Sequence, residues 1–176
     1  MMKSYNLIKT IMMIIVMLSL GLVTTASMAG SFEKIAGQFK QAYSKQEVLP
    51  VPQVQGRMIM LTQSKGKGTN TNGSGYMDGA QVVINEIVDL NQGNGPHSGY
   101  VTQTMSNGDE TVTRFSGQVS TTLTSDGQPN TTFSGRWENV SGAGQYTGIT
   151  GSGSYNGHFI SEKEYVVDWD GYYYLQ

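Results

Sequence analysis

A carboxylate in the middle of an apolar strand face is the most chemically suggestive feature of this chain. In "AQVVINEIVDL" the even positions Ala80, Val82, Ile84, Val88 and Leu90 are apolar, and Glu86 interrupts them. Side chains of a strand alternate between its two faces, so Glu86 shares the apolar one. A carboxylate placed there is either paired or lines a cavity, and burial would tune it toward a range useful for proton transfer. Glu86 is therefore the candidate proton-transfer residue, with neutralisation by Arg114 or Arg136 as the plain structural alternative. In "FSGRWENV", Arg136 and Glu138 share one face, while Phe133, Gly135 and Trp137 share the other. If the aromatic face packs inward, the charged pair is surface. If the interior is polar, Arg136 and Glu138 line it with Glu86, and parity alone allows both.

Other chemistries find little support. His97 and His158 are the two imidazoles and there is no Cys, too few ligands for a zinc site. Glu162, Glu164, Asp168 and Asp170 share parity near the carboxyl end and read as a solvated face, so no metal is expected. There is no G-x-S-x-G nucleophile turn and no phosphate-binding glycine loop, and no cofactor is indicated.

The elements that must position these residues are short strands. Turn-rich segments such as "NQGNGP", "SNGD" and "SDGQP" separate runs rich in Thr, Val, Tyr and Ser. Strands are predicted near 56–63, 80–90, 99–105, 110–124, 131–140, 143–149, 152–160 and 163–175. Hairpin-length links make them antiparallel, in a sandwich or a closed barrel. Ahead of them, Phe32, Ile35, Phe39 and Tyr43 recur at helical spacing, which predicts a short helix over 31–44, followed by an extended linker at "LPVPQ".

The amino terminus has Lys3 and Lys9, an apolar run from Ile11 to Val23 and small residues at Ser27 and Ala29, the pattern of a secretory signal peptide cleaved after Ala29. The expected organisation is thus a signal peptide at 1–29, a helix and linker at 30–54, and an all-β domain at 55–176. The apolar run is short for a permanent anchor, so no integral span is expected after cleavage. Without Lys3 and Lys9, 9 basic residues face 13 acidic ones. Scattered positive charge of that kind does not suit nucleic acid. Export without Cys points to a bacterial periplasmic or secreted protein.

The run "GAGQYTGITGSGSYNG" contains one pattern twice, Gly142-x-Gly144-x-Tyr146-x-Gly148 and Gly151-x-Gly153-x-Tyr155-x-Gly157. With Ile149-Thr150 as a hairpin turn, Tyr146 faces Gly153 and Tyr155 faces Gly144, each ring covering a bare glycine. The β-branched turn residues oppose that register, and a bulge at Gly148 or Gly151 would shift it. With the residues before it, "GRWENVSGAGQYTGITGSGSYNG" resembles the allene oxide cyclase barrel-like superfamily, which includes dirigent proteins and small bacterial proteins. The resemblance implies an antiparallel eight-stranded β-barrel whose interior can hold a small apolar molecule. It carries over no catalytic residue.

Glu86, Arg136, Glu138, Trp137, Tyr146 and Tyr155 are accordingly the expected ligand-binding residues. Three functions follow: non-covalent binding of an apolar or amphipathic small molecule, an interaction scaffold with a filled barrel, or a cofactor-free isomerase or cyclase. A contiguous interior pocket of roughly 300 Å3 or more separates the first and third from the second. An apolar outer face would favour a homo-oligomer.

Overall fold

The computed structural model describes residues 32–175; the expected signal peptide lies outside them. Eight antiparallel strands follow in chain order: β1 (Glu33–Pro50), β2 (Arg57–Asn70), β3 (Gln81–Asn91), β4 (Gly95–Thr104), β5 (Glu110–Leu123), β6 (Pro129–Ala143), β7 (Ile149–Phe159) and β8 (Glu164–Leu175). Each pairs with its neighbours in sequence, and β1 pairs with β8 from Glu33↔Tyr173 to Ala42↔Glu164, closing the barrel. Closure leaves no unpaired sheet edge. No helix among the described residues is long and apolar enough to cross a membrane.

From Glu33 onward the segment expected to be a helix over 31–44 is instead part of β1, so the barrel begins inside the stretch assigned to helix and linker. The physical reason lies in the spacing. Ile35, Phe39 and Tyr43 are four apart, a repeat compatible with a helix turn but also an even multiple of the strand period. As a strand they all point inward together with Gly37 and Gln41, while Phe32, the residue that breaks period two, is exposed. Trp169 of β8 lies over Gly37 and fills the space that a side chain there would need.

The interior is aromatic and aliphatic. Ile35, Phe39, Val82, Ile84, Val101, Phe115, Trp137, Tyr155, Tyr165, Val167 and Trp169 form one buried cluster. One end is closed by the connection between β2 and β3, which folds across it and buries Tyr76 and Met77. Gly68 and Gly79 or Ala80 exchange backbone hydrogen bonds at 3.0 Å to hold that connection down. Tyr146 packs on Tyr76 at 5.5 Å between ring centroids and completes the lid.

The glycine-rich run does not form the hairpin expected of it. Gly142 and Ala143 end β6, Gly144–Tyr146 is a single 3-10 turn, and β7 begins at Ile149. The positive φ values fall on Gly144 (65°) and Gly148 (77°), so glycine supplies the turn that Ile149 and Thr150 would resist. The register between β6 and β7 accordingly pairs Gly135 with Tyr155 and Trp137 with Gly153.

Candidate functional site

Glu86 projects into the barrel, as the parity of its strand requires. Its Oε1 lies 2.6 Å from Nδ1 of His97 on β4, and its Oε2 accepts a hydrogen bond from the Thr62 hydroxyl at 3.1 Å. The other imidazole nitrogen, Nε2, lies 3.0 Å from the Tyr155 hydroxyl. With Glu86 as carboxylate and His97 as neutral imidazole, Thr62 and Nδ1–H donate to the carboxylate and Nε2 accepts the phenol proton. This direction of donation assigns the Nδ1–H tautomer to His97. Three groups from β3, β4 and β7 thus form one directed chain, with His97 at 4% exposure.

Two glycines make the chain possible. In the register His97 pairs with Gly117, Gly117 with Gly135, and Gly135 with Tyr155. The Tyr155 side chain therefore crosses two strands to reach His97. A Cβ at Gly135 would stand 2.5 Å from the Tyr155 hydroxyl oxygen, and one at Gly117 would also collide with it. The same device recurs next door, where the Trp137 ring lies over Gly153 and Gly171. Rings covering cross-strand glycines were expected from the sequence; the partners differ, because Tyr155 covers Gly135 and Gly117 and not Gly144.

The chain borders a cavity of about 580 Å3, lined also by Phe115, Phe133, Tyr165, Trp137 and Trp169. Phe115 and Phe133 present their edges to the imidazole at centroid distances of 5.6 and 5.8 Å. At one end the lining reaches Pro129, Asn130 and the exposed Ile160 and Glu162, which form the mouth. Tyr165 holds Ser64 at 2.6 Å deeper in the wall. Burial pushes the phenols of Tyr43, Tyr155 and Tyr165 well above their ordinary range, and the negative charge of Glu86 adds to this in each case. The Ser64 contact opposes the shift at Tyr165. Burial likewise pushes the Tyr76 phenol of the lid up to about 12. These phenols are neutral hydrogen-bonding groups at any ordinary pH.

Of the residues expected to bind a ligand, the structure brings Glu86, Trp137 and Tyr155 together around the cavity. Tyr146 belongs to the closed end, packed on Tyr76 and Tyr173. Arg136 and Glu138 lie exposed on the outer face, where Glu138 pairs with Arg114. Burial of Phe133 and Trp137 decides that orientation, since the aromatic face gains by leaving water and the charged face loses. No arginine neutralises Glu86; His97 is its partner. His97 escaped the sequence because "NQGNGP" reads as a loop up to Pro96, which leaves the histidine without an apparent strand.

No family model matches the chain, and no curated protein matches it. Solved structures do. The barrel is similar to that of a pterocarpan synthase dirigent protein. That match has 14% identity and a TM-score of 0.45 over 83% of this chain and 89% of the other. A protein of unknown function from the DUF3224 family of Shewanella oneidensis MR-1 matches at 16% identity and a TM-score of 0.46, over 80% of this chain and 96% of that one. A protein of unknown function from Clostridium acetobutylicum ATCC 824 matches at 7% identity and a TM-score of 0.48, over 81% and 97%. At such identities and TM-scores these likenesses carry no argument about family or chemistry.

Proposed function

We propose that this barrel binds an uncharged, amphipathic, aromatic small molecule non-covalently in its interior. The observation that supports this most is an aromatic cavity of about 580 Å3 with one hydrogen-bonding station, the Tyr155–His97 pair, on its wall. That volume lies within the roughly 300–1,000 Å3 of small-molecule sites and exceeds what a filled scaffold barrel would leave. Apolar rings stack on Phe115 and Phe133, and a hydroxyl of the ligand donates to the Tyr155 oxygen. An anionic ligand is disfavoured by the Glu86 carboxylate and by desolvation. The leader-like segment supports an exported protein that meets its ligand outside the cytoplasm. The charged outer faces of β1 and β8, with Lys40, Asp168 and Asp170, support an aqueous setting.

Both tryptophans of the chain, Trp137 and Trp169, line the cavity, so their fluorescence reports its occupancy. Titration with 2-naphthol is expected to quench this emission saturably. Val101→Phe, which extends a cavity-lining side chain inward, weakens the binding at least tenfold, whereas Arg136→Ala and Glu138→Ala leave it unchanged. Absence of saturable quenching in the wild type would contradict the proposal.

A further inference from the structure

Beyond holding a ligand, the wall carries a base. We propose that Glu86, His97 and Tyr155 form a proton relay that makes the Tyr155 hydroxyl a general base toward an uncharged carbon acid, such as an aryl 1,3-dicarbonyl, bound in the cavity. This rests on the cavity being a binding site, as argued above, and adds a reaction to it.

The geometry follows the logic of a hydrolase triad with a phenol in place of the serine hydroxyl. The carboxylate fixes the imidazole through Nδ1 at 2.6 Å, and Nε2 is aimed at the group to be activated at 3.0 Å. Thr62 holds the second carboxylate oxygen, so Glu86 cannot swing away. His97 is the single hydrogen-bond partner of the Tyr155 hydroxyl among the described residues, which leaves the phenol oxygen able to accept from a ligand. All three residues border the same cavity.

In the step, the Tyr155 oxygen takes the proton from the carbon between the two carbonyls as its own proton passes to Nε2. The C–H electron pair forms the carbon–carbon double bond of the enolate, and a carbonyl π pair moves onto oxygen. The imidazolium so formed is compensated by Glu86. Reversal returns a proton to carbon or to oxygen, giving ketone or enol without oxidant, metal or cofactor. Such a substrate suits the relay because it enters the cavity uncharged and its two carbonyls share the charge of the enolate. Tyr155 is the catalytic residue, and His97 and Glu86 are positioning residues.

The test is exchange of the central methylene protons of 1-phenyl-1,3-butanedione in deuterium oxide, followed by proton NMR, with tryptophan quenching by the same compound as the measure of binding. The wild type is expected to accelerate exchange above buffer. Tyr155→Phe lowers the acceleration at saturating compound about 100-fold, as loss of a general base does, while quenching still saturates. Glu86→Gln lowers it about tenfold and moves the His97 Nε2 signal in the 15N spectrum, which an unrelated packing role would not do. Quenching without accelerated exchange overturns the relay and leaves the binding proposal standing, as does exchange that survives Tyr155→Phe. Absence of quenching by both this compound and 2-naphthol overturns both.

Discussion

Truncating Trp169 to alanine is expected to lower the stability of the barrel by about 4 kcal/mol, a value typical of removing a buried indole. Trp169 is 7% exposed and joins three parts of the interior. Its ring contacts Phe39 at 5.6 Å, Tyr76 of the lid at 6.0 Å and Trp137 at 6.5 Å, and it covers the bare backbone of Gly37 across the β1–β8 seam. No neighbour can collapse into the gap, because Gly37 has no side chain and the flanking rings are held by contacts of their own. Trp169→Phe keeps a ring over Gly37 and should cost less than half as much. Urea unfolding of the three proteins checks this, and equal midpoints for wild type and Trp169→Ala would show that the seam does not depend on the indole.

Valine at position 135 is expected to be nearly as damaging, by about 3 kcal/mol, at the upper end of overpacking costs. It is also expected to reduce 2-naphthol affinity at least tenfold. A Cβ there meets the Tyr155 hydroxyl oxygen at 2.5 Å and the Gly117 Cα at 2.7 Å, so the phenol must leave its place across β5 and β6. Once displaced it no longer reaches His97, and both the binding station and the relay are lost together. Gly68→Ala is the control. A Cβ at Gly68 comes no nearer than 3.5 Å to any neighbour, and the change should cost under about 1 kcal/mol. If Gly135→Val and Gly68→Ala behave alike in unfolding and in affinity, the two inward glycines are not what lets Tyr155 cross.

These two residues show what the sequence made legible. Glu86 could be placed inside because its strand is apolar at every other even position, and a one-residue slip would have turned five apolar side chains to water. The predicted and observed strand numbers agree at eight through two compensating differences: the pattern predicts a helix where β1 runs and a strand at 143–149, where β6 ends and the 3-10 turn lies. Both arise where local pattern is ambiguous. Spacing of four satisfies either period in β1, and glycines at 142, 144 and 148 look the same in a curved strand as in a 3-10 turn. The aromatic-over-glycine principle was visible in the run ending at Gly157, but its partners were not, since register depends on which residue takes positive φ. The relay itself was hidden. His97 is 11 residues from Glu86 and 58 from Tyr155, and no short motif spans such distances. Only the closed pairing of β3 through β7 brings the three together.

The ligand is expected in the interior of the barrel and not on its outer face. Isotope-filtered NOE spectroscopy on the labelled protein with unlabelled 2-naphthol tests it most directly, because aromatic reporters stand on both sides of the wall. Phe115, Phe133 and Tyr155 line the cavity, whereas Tyr100 and Tyr172 are 49% and 52% exposed outside. Cross-peaks from naphthol to the inner set, with none to Tyr100 or Tyr172, are the expected result; cross-peaks confined to the outer pair, or none at all, would contradict the account.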